Sequence, residues 1–262
     1  MKVLAVVNQK GGVGKTTTAV SMAGILVQRK HRVLLVDADP HGSLTSYFHL
    51  DHRGFERSVY SLFDGYKSRV DFLVSKTQIA GLHVIASSPA LATLDKKLGG
   101  QDGKGLILGQ ALQQLSDWYD YAIIDCPPVL GVLMVNAMAA SDKLVIPVQA
   151  EFLALKGLDL MVQTVAMVSR ALAKDLDYMI VPTMYDRRTR SSGQCLELIR
   201  GKYPRKLWDG VIPVDAQFKE ASSVGVPIST LSRTARGTMA YELLVDSLRF
   251  EQVLSHRQET AA

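Results

Sequence analysis

The chain has 262 residues, 47% of them apolar and 21% charged, with a net charge of +5. That is enough for one large α/β domain with a sizeable core, and the charge content is ordinary for a soluble globular protein. The two cysteines, Cys126 and Cys195, exclude a disulfide framework and fit a reducing cytoplasm, and the absence of any run of ~20 apolar residues excludes a membrane-spanning helix.

The opening run Met1 to Val7 leads straight into a glycine-rich loop, so it reads as a strand over Lys2–Asn8 and not as a signal peptide. The loop itself is Gln9-Lys10-Gly11-Gly12-Val13-Gly14-Lys15-Thr16-Thr17, and a helix follows over Thr16–Arg29. Strand, glycine loop and helix in that order make a phosphate cradle. The glycines let backbone N–H groups turn toward one centre, and the helix N-terminus adds partial positive charge. Lys15 is placed to reach the β- and γ-phosphates of a nucleotide, and the Thr16 hydroxyl to sit on Mg²⁺. The ordinary loop has glycine where Gln9 stands; in exchange there is a second lysine, Lys10, at the loop's start.

A second strand, Arg32–Asp37, ends in Asp37-Ala38-Asp39-Pro40-His41-Gly42. Two carboxylates two apart at a strand's C-terminal end point toward the crevice where such sheets bind ligands. His41 to Gly81 is the least regular stretch and reads as loops and short helices over the sheet edge. Further strands are expected at Leu82–Ala86, Tyr121–Asp125, Lys143–Val148, Tyr178–Met184 and Leu207–Ile212. Helices are expected at Leu106–Asp117, Phe152–Ala173, Arg190–Lys202, Ala216–Ser222 and Thr234–Leu254. Near-continuous apolar strands alternating with helices predict a single α/β domain over residues 1–262, with a mostly parallel twisted sheet covered on both faces. Apolar residues ending in Asp125 make a candidate for the acidic strand end that holds Mg²⁺ through its waters.

The run Lys10 to Thr17 resembles the deviant Walker A loop of the ParA/MinD family, which includes partition ATPases, the division-site ATPase MinD and nitrogenase iron protein. Asp37 to Gly42 resembles that family's Asp-x-Asp-Pro-Gln-Gly segment, with His41 in place of glutamine, and Asp125-Cys126-Pro127-Pro128 resembles its Asp-x-Pro-Pro. The likeness implies that Lys10 reaches across a nucleotide-sandwich homodimer to the partner's ATP. It implies that Asp39 orients or activates the attacking water and that Asp37 supports Mg²⁺ through its waters. Hydrolysis would then require the dimer and be slow without a stimulating partner. Thr183-Met184-Tyr185-Asp186-Arg187-Arg188-Thr189 and Ile212-Pro213-Val214-Asp215 resemble the partition ATPases' segments around adenine, which implies base contacts from Asp186, Pro213, Val214 and Asp215. Val214 departs from the arginine common after this proline.

Basic residues concentrate at Arg187, Arg188, Arg190, Arg200, Lys202, Arg205 and Lys206, against Glu197 alone, with Lys219, Arg233, Arg236 and Arg249 beyond. Non-specific DNA binding rests on such phosphate-neutralising clusters, and the family likeness favours it. The strand begins at Lys2, so a preceding helix-turn-helix domain is not expected. The resemblance implies a nucleoid-associated positioning ATPase with ATP and Mg²⁺ as cofactors and a ParB-like or other adaptor. Its cargo is a plasmid, a chromosome or a protein assembly such as a chemotaxis array. The main rival is a MinD/FlhG-like membrane switch, but the tail from His256 to Ala262 is polar and weakly basic, so membrane binding is not expected. A cluster-bearing electron donor and an ATP-dependent ligase of the same superfamily are weaker rivals.

Overall fold

The structure is a computed structural model that describes residues 1–50, 57–64, 69–98 and 106–248. Among them, seven strands form one sheet: β1 (Lys2–Val6), β2 (Val33–Asp37), β3 (Val74–Lys76), β4 (Leu82–Ile85), β5 (Tyr121–Asp125), β6 (Lys143–Gln149) and β7 (Tyr178–Thr183). Their order is β3-β4-β2-β5-β1-β6-β7, and every pairing is parallel except the edge pair β3–β4. The expected fold class is therefore observed.

Helices cover both faces: α1 (Lys15–Gln28), α2 (Ser43–Tyr47), α3 (Val59–Phe63), α4 (Leu94–Leu98), α5 (Ile107–Gln114), α6 (Val132–Ala140), α7 (Ala154–Leu172), α8 (Arg190–Lys202), α9 (Gln217–Val224), α10 (Ile228–Leu231) and α11 (Arg236–Ser247). Side chains alternate along the central strands, so each strand feeds two cores. Ala5, Ile124 and Ile146 pack with Leu112, Met138, Met161 and Ile199 on one face. Val6, Ile123 and Val145 pack with Met22, Ile25, Tyr241 and Leu244 on the other. Both thiols are buried, Cys126 at the end of β5 and Cys195 within α8.

The segment Leu207–Ile212 does not become a strand. It follows β7 only through isolated bridges, Ile180 to Leu207 and Tyr185 to Pro213. The Trp208 ring folds back over Gly210, where a Cβ would lie 2.4 Å from it, and Pro213 has no N–H to continue a ladder. Helix α6 escaped the sequence reading because Val132 to Ala140 is apolar almost throughout and shows no 3.6-residue stripe. The expected continuation of the last helix to Leu254, Arg249 and the polar tail lie outside the described residues. Among those described, no helix is long and apolar enough to cross a membrane.

Candidate nucleotide site

The loop between β1 and α1 is built for close approach. Gly12 and Gly14 adopt positive φ (75° and 88°), which L side chains rarely take, and no atom lies within 4 Å of a Cβ placed on Gly11 or Gly12. Gly14 caps α1 with no side-chain partner, so the first helical N–H groups are left for a ligand. The loop is anchored from three sides. Asn8 Nδ2 donates to the Pro147 carbonyl (2.8 Å), its Oδ1 accepts from the Lys10 N–H (2.9 Å), and Thr183 Oγ1 donates to the carbonyl of buried Val13 (2.9 Å). Gln9, in the position that departs from the usual glycine, donates through Nε2 to Thr164 Oγ1 on α7 (2.9 Å).

The two lysines face different ways. Lys15 is 8% exposed and turns into the loop, its Nζ 3.3 Å from the Lys10 carbonyl. Burial lowers its pKa, while Asp125 and Asp39 oppose that shift. Lys10 turns outward and pairs with Glu151, just after β6, its side chain 33% exposed.

The acidic residues stand opposite Lys15. Asp37 and Asp125 are register partners on β2 and β5, both fully buried. Thr16 Oγ1 donates to Asp125 Oδ2 (2.6 Å), while Asp125 Oδ1 is buried with no hydrogen-bond partner. Desolvation raises the pKa of Asp125, and Asp37 raises it further; Asp37 is raised by its own burial. An orphaned buried carboxylate oxygen beside a threonine hydroxyl fits a hydrated divalent cation, whose charge would answer both. Asp37 spends its oxygens locally: Oδ2 accepts from the Thr45 N–H (2.7 Å) and Oγ1 (2.6 Å), and Oδ1 from the Asp39 N–H (3.2 Å). It thereby ties α2 to the sheet. Asp39 lies at the cavity wall, 8% exposed.

A cavity of about 480 Å³ opens over this loop, lined by Gly11, Gly12, Gly14, Lys15, Thr16, Thr17 and Asp39, and by Ser43, Tyr47, Pro128, Met184, Phe218, Lys219 and Ser222. The structure thus brings the loop and Asp39 together with one face of α9. Lys219, a candidate DNA residue by sequence, lines this cavity. Asp186, Pro213 and Val214 line a neighbouring cavity of about 580 Å³ with Arg187, Arg188 and Arg236. Asp186 is held by Arg188 (2.7 and 3.0 Å), and Asp215 accepts from the Gln217 and Gly237 N–H groups. Tyr47 and Phe218 had no recognisable signal in the sequence, because only the fold of α2 and α9 carries them to the loop.

The basic cluster is more neutralised than its sequence tally suggests. Arg188 pairs with Asp186, Arg200 with Glu197, Lys202 with Asp159 and Lys206 with Asp177. Among the described residues Arg187, Arg190 and Arg205 have no ion pair.

The chain is similar to known proteins over nearly its whole length. A family profile described as an AAA domain matches residues 1–178. The sporulation initiation inhibitor protein Soj of Bacillus subtilis is 39% identical over 241 residues, covering 92% of this chain and 95% of Soj. The chromosome partitioning protein ParA of Caulobacter vibrioides is 38% identical over 244 residues, covering 92% and 91%. Among solved structures, cobyrinic acid a,c-diamide synthase of Mycobacterium smegmatis with bound ADP and magnesium superposes with a TM-score of 0.81 at 33% identity, covering 94% and 93%. The McdA–ATP complex of Cyanothece shares the fold, with a TM-score of 0.86 at 22% identity over 96% and 98% of the two chains.

Proposed function

The chain belongs to the ParA/Soj family of partition ATPases, and on that premise we propose that it is a positioning ATPase whose ATP-bound homodimer holds non-specific DNA. The observation that carries this reading is the division of labour between the two lysines. Lys15 is turned into the cradle toward its own nucleotide, while Lys10 points away from it and is paired with Glu151, a contact it would exchange for the nucleotide of a second copy. Phosphoryl transfer needs charge neutralisation and an aligned water more than covalent chemistry. Gly11 to Thr17 would hold the phosphates, Thr16 and Asp125 would hold Mg²⁺ with Asp37 supporting it through its waters, and Asp39 would orient the attacking water. Mg²⁺, when bound, neutralises charge between the β- and γ-phosphates. Asp186, Pro213, Val214 and Asp215 remain candidates for the base, together with Met184 and Phe218, which line the loop cavity. Hydrolysis, stimulated by a ParB-like or other adaptor, would release the dimer from the nucleoid in the cytoplasm.

The test is binding to random-sequence duplex DNA with ATP, ADP or no nucleotide, using Asp39→Ala to hold the ATP state. Salt-sensitive binding with ATP alone supports the reading; intact dimerisation with no DNA binding in any state sinks it. Lys15→Ala is expected to lose ATP binding, whereas Lys10→Ala keeps ATP and loses the dimer. The 33% identity to the diamide synthase favours a second reading, an ATP-dependent amide-forming enzyme. Steady ATP turnover without any acid substrate argues against that alternative.

A further inference from the structure

We propose that His41 is a positioning residue for hydrolysis, one that fixes the Asp39 carboxylate so that a single oxygen is presented to the attacking water. The inference rests on the reading of Asp39 as the water-orienting group. The segment Asp39-Pro40-His41-Gly42 is a tight turn: the Gly42 N–H donates to the Asp39 carbonyl (2.9 Å), with Gly42 at φ 64°. Ser87 Oγ donates to the same carbonyl, so the Asp39 backbone is held from the neighbouring strand end as well. The side chain is held by the residue two places on. Asp39 Oδ1 lies 3.0 Å from the His41 N–H and 2.9 Å from His41 Nδ1.

A carboxylate beside Nδ1 fixes the tautomer, because that oxygen can only accept and Nδ1 must carry the proton. Oδ1 therefore receives two donors from one residue. Among the described residues nothing donates to Oδ2, and Asp39 lines the cavity over the phosphate loop. Two donors on one oxygen remove the carboxylate's rotamer freedom before the nucleotide arrives, and a fixed acceptor aligns a water without reorganising in the transition state. The imidazole does this from the surface, its side chain 79% exposed against 12% for Asp39. Replacing it therefore leaves the core untouched.

The chemistry dictates the experiment. In asparagine the amide nitrogen stands as many bonds from Cβ as Nδ1 does in histidine, so Asn keeps the donor, while Leu keeps bulk and loses it. Steady-state ATP turnover and ATP affinity are measured for His41→Leu, His41→Asn and Asp39→Ala, each with a thermal melt to confirm folding. His41→Leu is expected to lower kcat about tenfold, the scale of a misplaced catalytic group, with ATP affinity unchanged within about twofold. His41→Asn is expected to recover turnover to within about threefold of the unmodified chain. Unchanged kcat in His41→Leu, or Asn as slow as Leu, overturns the proposal. An Asp39→Ala variant that turns over normally removes the premise about Asp39, a result separate from the behaviour of the His41 pair.

Discussion

Asp125 concentrates the cost of this site. Its carboxylate is wholly buried, with one oxygen given to Thr16 and the other unpartnered, and Asp37 lies beside it in register. Burial raises both pKa values above the ordinary carboxylate range near 3.8. The nucleotide-free folded state therefore holds protons that the unfolded chain has released, and its stability falls as pH rises from that range toward neutrality and beyond. Asparagine at 125 keeps an acceptor for Thr16 and cannot ionise. Relative to Asp125→Asn, the unmodified apo-protein is expected to gain about 3 °C in Tm between about pH 8 and pH 5, read by calorimetry. Parallel curves for the two proteins would show that Asp125 does not titrate across this range. Cationic Lys15 and a bound metal both act against the same burden, which couples nucleotide loading to the stability of the fold.

At the scale of elements, two helix contacts are so close that a glycine stands at each. A Cβ on Gly24 would lie 2.3 Å from Pro227 Cβ, at the start of α10, and one on Gly237 of α11 would lie 2.5 Å from the Phe218 ring of α9. The first contact is remote from the cavity and the second moves the helix that lines it. Gly24→Ala is expected to cost about 1–3 kcal/mol in stability with ATP affinity retained. Gly237→Ala is expected to weaken ATP binding about tenfold as α9 shifts, measured by titration with a fluorescent ATP analogue. Equal affinities in the two variants would remove α9 from the site. This layer was the least legible in the sequence. The loop from Gln9 to Thr17, β5 and α8 could be read directly, because glycine spacing, uniform burial and a clear apolar stripe each leave a local trace. The short helices α2 and α10 leave almost none, since their positions are set by long-range contacts such as Thr45 on Asp37 and Tyr47 on the Val226 carbonyl. The pairing of Lys202 with Asp159 and of Lys206 with Asp177 was hidden for the same reason, as 43 and 29 residues separate the partners.

At the scale of the whole molecule, those pairs decide which cations can meet a polyanion. A lysine already in contact with a carboxylate releases few counterions on meeting phosphate, whereas an unpaired arginine releases its full share. Arg190→Ala or Arg205→Ala is expected to lower the slope of log K against log salt for duplex DNA by about 1 each. Lys202→Ala is expected to leave that slope unchanged; fluorescence anisotropy across a salt series checks both. The order of the sheet has a wider consequence. The phosphate loop follows β1, Asp39 follows β2 and Asp125 ends β5, three adjacent central strands. The outer strands β3 and β7 contribute no carboxylate to the cradle. Heredity can thus rewrite the flanks, with their loops and outer helices, while the centre stays as it is. If the proposed function holds, cargo choice would be written on those margins, away from the strands that carry the phosphate loop.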